Sequence, residues 1–136
     1  MSKKTIRMKQ LEEHSDVRGV SFSLPESTFD FMKKIKEIHM TTILPSAVRG
    51  NHFHEKRKEF LMVLYSDVWV FGYQEKNADQ PTFKHFEGKP GGIVIEVEPG
   101  IAHAFKNTGK QPMIVASFSN QGKGPKYTDI IRKIVL

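Results

Sequence analysis

The sequence predicts an all-β protein, a sandwich or barrel, on three observations. Short runs alternate apolar and polar residues with a period of two. Glycine and proline turn signals separate those runs at regular spacing. Little helical periodicity competes with them.

Taken in order, FSLPESTFDF carries Phe22, Phe29 and Phe31 and reads as an edge strand or a dimer contact. KIKEIHMTTIL, residues 34–44, alternates and becomes richer in β-formers toward its end. EFLMVLYSDVWVFGY, residues 59–73, reads as two strands meeting at a hairpin-like turn at Ser66 and Asp67. The polar stretch 74–90 reads as a long hairpin excursion. GGIVIEVEPG, residues 91–100, alternates between turn signals at both ends, and MIVASFS, residues 113–119, is another short strand. TDIIRKIVL, residues 128–136, reads as a final strand, with a helical turn as the alternative. The prolines fall between these runs rather than inside them.

The chain has 136 residues, which suits one core and one domain, 1–136. Hydrophobic residues make up 38% and charged residues 26%, a soluble balance with no apolar run of membrane-spanning length. The N-terminus MSKKTIRMKQLEEH lacks an apolar h-region, so a cytoplasmic location is expected. The absence of cysteine removes disulfides and thiolate ligands. The net charge of +6 is spread over dispersed lysines, with no arginine-rich helix. A small anionic ligand therefore ranks above nucleic acid as a partner.

The chemistry concentrates in RGNHFHEKRKE and PGIAHAFKN. Residues two apart on a strand share a face, so His52 and His54 project together while Phe53 turns away. Glu59 opens the next run, and His103 follows a Pro-Gly turn far along the chain. A barrel that brought their strands together would assemble three imidazoles and one carboxylate. That set suits a divalent ion such as zinc, iron, manganese, nickel or copper. His14, His39 and His85 read individually as structural, although the parity of its run allows His39 to face the same pocket. Asn107 reads as a turn brace, and Trp69, Phe71 and Phe105 as core or pocket wall.

These two segments resemble the paired signature of the cupin superfamily. The first half matches His52, His54 and Glu59 with four residues before the glutamate, and the second matches Pro99, Gly100, His103 and Asn107. The pattern departs at Ser66, where a glycine usually stands. The resemblance implies a double-stranded β-helix, a jelly-roll-like barrel, and metal ligation by His52, His54, Glu59 and His103. DVRG at 16–19, Pro45, VRGNHFH and PGIAHAF resemble more narrowly the sugar-nucleotide cupins. These are the dTDP-4-dehydrorhamnose 3,5-epimerases, the dTDP-sugar 3,4-ketoisomerases and the zinc-binding cupin domain of capsular polysaccharide epimerase/reductases. RGNHFH is nearest the capsular type.

What this implies is an isomerase or epimerase of a nucleotide-linked 4-keto sugar in surface-polysaccharide synthesis, commonly a homodimer. In the epimerases the histidine after Arg-Gly is the base, a place held here by His52, and Arg49 would grip the diphosphate. In the metal-bearing members His52 is a ligand instead. A metal-bound imidazole has no lone pair left for a proton, so the two roles exclude each other. Tyr73 and Tyr65 are the candidate acids. Two other classes use the same residues: a metal-dependent cupin oxygenase or lyase, and a sugar-binding cupin without catalysis.

Overall fold

The structure is a computed structural model that describes residues 5–64, 68–87, 92–122 and 129–136. Its strands follow the period-two runs. In chain order they are β1 (Arg7–Gln10), β2 (Glu12–Asp16) and β3 (Gly19–Ser23), then helix α1 (Glu26–Phe31), β4 (Glu37–Ile43), β5 (Val48–His54) and β6 (Glu59–Leu64). There follow β7 (Trp69–Gln74), β8 (Thr82–Phe86), β9 (Ile93–Val97), β10 (Ala102–Asn107), β11 (Met113–Ser119) and β12 (Ile130–Arg132).

Two five-stranded antiparallel sheets face each other, one ordered β1-β9-β6-β11-β4 and the other β12-β5-β10-β7-β8. Inward residues of both sheets, including Leu61, Val63, Phe71, Ile95 and Phe105, form the main core. Trp69 is also core and stacks on Phe86 with ring centroids 3.9 Å apart.

Strand β6 shows how alternation serves two layers at once. Leu61 and Val63 face the core between the sheets, while Phe60 belongs to a second cluster with Leu11, Phe31, Met32 and Val94. This β6 sequence is apolar on both faces because both are covered.

Three sequence expectations are modified. The segment 59–73 does form two strands, but β6 and β7 lie in opposite sheets and do not pair with each other. Each is a central strand of its own sheet, so the chain crosses between layers instead of closing a hairpin; Ser66 and Asp67 lie outside the described residues. FSLPESTFDF is not one edge strand: Phe22 lies in β3, and Glu26–Phe31 is helical. Pro25 precedes the helix with φ of −67°, a conformation suited to helix entry. Thr28 and Phe31, three residues apart, form its buried side. The excursion after β7 is a hairpin, as read, but its return limb is ordered as β8, pairing Tyr73 with Thr82 through Trp69 with Phe86. The final run is a strand, β12, rather than a helical turn.

DVRG closes the β2–β3 hairpin. Asp16 accepts from the Arg18 backbone N–H at 2.8 Å, and Gly19 supplies a φ of 139°. No helix among the described residues is long and apolar enough to cross a membrane.

Asn107 is fully buried and ties strand ends together as a brace. Its Nδ2 donates to the carbonyls of Ile43 at 2.9 Å and Gln111 at 2.7 Å, and its Oδ1 accepts from Gly109 N–H at 2.9 Å. Asn107→Ala leaves these backbone groups without their partner, each unsatisfied buried group costing about 1–3 kcal/mol. A loss on the order of 3 kcal/mol is expected in urea unfolding followed by circular dichroism.

Candidate functional site

The site sits between the sheets where β5, β6 and β10 meet. It depends first on Gly50. Its φ is 109°, and a Cβ there would lie 2.7 Å from the carbonyl oxygen of His103 and 2.9 Å from the Cα of Ala104. Only glycine permits this approach of β5 to β10. Next to it, Asn51 adopts a left-handed φ of 56°. The β5–β10 register shifts at His103/Ala104, and beyond that irregularity His103 stands opposite His52.

The imidazoles gather as the spacing implied. Ring centroids of His52 lie 5.1 Å from those of His54 and 5.2 Å from those of His103. Glu59, first residue of β6, arrives from the facing sheet. Its Oε2 accepts from Ser117 Oγ at 2.8 Å. Its Oε1 lies 3.2 Å from His54 Nε2 and 3.5 Å from His103 Nε2, yet it is buried and makes no hydrogen bond of acceptable geometry.

Proton placement follows from the partners. His103 Nδ1 is 3.0 Å from the Ile101 carbonyl, which can only accept. Nδ1 therefore carries the proton, and in the neutral ring Nε2 presents a lone pair toward Glu59 Oε1. Two acceptors face each other across 3.5 Å. His54 Nδ1 is 3.1 Å from Asp129 Oδ1, placing this ring between two carboxylates.

Electrostatics divides the histidines. Burial, reinforced by the neighbouring His103 and His54, lowers His52 to about 4 despite the opposing charge of Glu59. Burial likewise lowers His103. Burial also disfavours charge on His54, but Glu59 and Asp129 together outweigh it and raise its pKa above the ordinary value. For Glu59 itself, burial favours protonation, but His54, His103 and Ser117 prevail and hold it at about 2.

Ligand atoms of His52, Glu59 and His103 all lie within 4.8 Å of one another, so these three could hold a metal ion. His54 lies outside that trio, against Glu59 Oε1.

A cavity of about 360 Å³ opens over the cluster. Arg49, Gly50, His52, Glu59 and His103 line it, with Phe105 and Leu61 among its apolar walls. Among the described residues Arg49 has no ion-pair partner. Tyr73 stands opposite His103 in β7 and packs near Phe71, but it is not among the lining residues. Tyr65 lies outside the described residues.

His39 lines the cavity from β4, opposite Ser117 in the ladder. Its parity in KIKEIHMTTIL was the available signal. Asp129 and Ser117 had no motif to announce them: one is an acidic residue at a strand edge, the other a serine in an apolar run.

The two facing antiparallel sheets form a cupin-type fold, a double-stranded β-helix, with the histidine/glutamate cluster between them. The sequence matches the family described as polysaccharide biosynthesis C-terminal domain over residues 14–131, and the chain belongs to that family. It is 20% identical over 127 residues to the spore coat polysaccharide biosynthesis protein SpsL of Bacillus subtilis (strain 168), covering 91% of this chain and 84% of that one. The 3,4-ketoisomerase QdtA of Thermoanaerobacterium thermosaccharolyticum, solved with TDP, superposes with a TM-score of 0.73 at 17% identity, over 98% of this chain and 90% of that one. Capsular polysaccharide assembling protein CapF of Staphylococcus aureus gives 0.62 at 21% identity, over 92% of this chain. This chain spans only 33% of CapF. A dTDP sugar isomerase of Desulfovibrio desulfuricans G20 gives 0.77 at 12% identity, over 96% and 84% of the two chains.

In metal-free protein, long-range ¹H–¹⁵N NMR is expected to show His52 titrating near 4, whereas His54 titrates above 6.5. For His52 the unfolded chain binds the proton first as pH falls, so its contribution to folding declines from about pH 6.5 to about pH 4. For His54 the sign reverses: its contribution is complete below pH 6.5 and disappears as pH rises through its elevated pKa. Equal pKa values for the two rings would contradict the assigned environments.

Proposed function

We propose that the protein is an isomerase or epimerase acting on a nucleoside-diphosphate-linked 4-keto sugar during surface-polysaccharide synthesis. The observation that carries this reading is the placement of Arg49, a guanidinium with no ion-pair partner among the described residues, in the same cavity as proton-handling and potential metal-ligating side chains. The cavity of about 360 Å³ falls within the range of small-molecule sites, roughly 300–1,000 Å³. The similarity to QdtA, solved with TDP-4-keto-6-deoxyglucose as well as with TDP, supports the substrate class. The family match and SpsL support the polysaccharide setting.

The chemistry needs a keto group beside a C–H bond. The carbonyl acidifies that bond, a base removes the proton, and an enolate forms. Return of a proton at a different position or on the opposite face gives the isomer or epimer. Arg49 would hold the diphosphate with two parallel N–H donors, and Phe105 and Leu61 would shield the reacting sugar from water.

We further propose a divalent ion, zinc, iron, manganese or nickel, held by His52, Glu59 and His103, with His54 as the fourth candidate ligand. Three observations fit it: the buried Glu59 Oε1 without a hydrogen bond, the facing acceptors of Glu59 and His103, and a nitrogen/oxygen donor set without thiolate. Such an ion would supply positive charge for the developing enolate oxygen. With His52 and His103 engaged as ligands, His39 is the remaining imidazole of the described cavity wall. With no ion bound, the free lone pair of His52 can serve as the base. The acid role expected at Tyr73 is proposed for His39, because His39 lines the cavity and Tyr73 does not.

Incubation with dTDP- or UDP-linked 4-keto-6-deoxyhexose in deuterated water tests the activity. Deuterium is expected at carbon next to the keto group, together with an isomerised sugar. Tight binding with neither outcome would favour a sugar-binding cupin. Oxygen uptake with iron bound would favour the oxygenase reading.

Arg49→Lys tests the substrate class separately. An ammonium keeps the charge but loses the planar fork that grips two phosphate oxygens. Titration calorimetry with dTDP or UDP alone is expected to show a loss of about 1–3 kcal/mol, with metal content unchanged. Equal binding by both proteins would remove Arg49 from the diphosphate site.

A further inference from the structure

One edge of β5 is held by β10, and the other by the C-terminal segment. Ile130, Ile131 and Arg132 pair with His54, Phe53 and His52. The Lys133 N–H donates to the Asn51 carbonyl at 2.8 Å. The N–H groups of Val135 and Leu136 both donate to Asn51 Oδ1, at 2.9 and 3.1 Å, while Asn51 Nδ2 donates to the Leu136 carbonyl at 3.1 Å. The Leu136 side chain fills the space left by Gly72, and Val135 is buried with Ala102 and Ala104. This strap holds Asp129 beside the histidine strand.

Asp129 is committed on both oxygens. Oδ2 accepts from the backbone N–H groups of Lys56 at 2.9 Å and Arg57 at 3.1 Å. Oδ1 is left for His54 Nδ1 at 3.1 Å. An ionised carboxylate only accepts, so His54 must donate from Nδ1. In the neutral ring Nε2 then carries the lone pair, on the side of Glu59 Oε1.

The geometry points to Asp129 as the positioning residue of the site: it fixes the tautomer of His54, and the C-terminal strap holds it there. Carboxylates that orient metal-side imidazoles in this way raise metal affinity by about ten- to a hundredfold. The cation part of this inference rests on the metal reading above. The tautomer part rests on hydrogen bonds alone.

Asp129→Asn is the discriminating variant, because it preserves shape. The two backbone N–H donors require an acceptor, so they claim the amide oxygen. The amide NH₂ then faces His54 Nδ1, which must accept, and the ring proton moves to Nε2. Long-range ¹H–¹⁵N spectra of metal-free protein, taken at a pH where His54 is neutral, read this directly. Wild type is expected to show the Nδ1–H tautomer and Asp129→Asn the Nε2–H tautomer, with the same far-UV circular dichroism. Co²⁺ affinity, read from the visible absorption of the bound ion, is expected to fall about ten- to a hundredfold.

An Nε2–H tautomer in wild type would overturn the proposal with no variant needed. An unchanged tautomer in Asp129→Asn, or unchanged Co²⁺ affinity despite inversion, would overturn it as well. Failure of wild type to bind Co²⁺ would count against the metal reading, and the tautomer comparison would still decide the role of Asp129.

Discussion

A carboxylate buried between two sheets is the constraint on which the site depends. Removing a charged group from water costs several kcal/mol unless partners compensate. Glu59 is compensated by the hydroxyl of Ser117 on β11 and by the charged form of His54 on β5, while His103 on β10 closes the third side. Those contacts pull together elements distant in sequence. They also leave Oε1 without a well-formed hydrogen bond, so the compensation is incomplete along the direction that faces the imidazoles. A buried polar group left in that state marks a place built for something more than folding.

The backbone makes this gathering possible. Gly50 lets β5 approach β10 at His103 closely enough to put His52 across from it. Asn51 then takes a left-handed turn, and its side chain receives the C-terminal segment. Arg49, Gly50, Asn51, His52 and His54 thus have five separate duties along one strand: cavity wall, close approach, clamp, and two site imidazoles. Within the Arg-Gly dipeptide, the glycine has a structural reason, the close approach to β10. On the far side of the cavity, β4 and β11 contribute His39 and Ser117 from directly opposed ladder positions.

Much of this was legible in the sequence, because period-two alternation dictates which side chains share a face. The pairing of His52 with His54 followed from parity alone, and the turn-bracing role of Asn107 followed from its place after a Pro-Gly turn and a short strand. What parity cannot supply is which strands are neighbours. The stretch from Glu59 to Tyr73 looked like a hairpin because two apolar runs flanked a turn signal. A crossover between sheets gives the same pattern, since both strands end up buried. Asp129 was invisible for a related reason: its role exists only because β12 lies against β5. Helix α1 escaped because six residues are too few to establish a helical period.

The central question is whether one cavity brings a cation and a diphosphate to the same substrate. The most direct measurement is a crystal structure of protein grown with the divalent metal and dTDP, with anomalous data collected at the metal edge. An anomalous peak is expected within bonding distance of His52, Glu59 and His103, with a diphosphate gripped by Arg49 in the same cavity. Absence of a peak there under saturating metal, or a nucleotide bound away from Arg49, would contradict it.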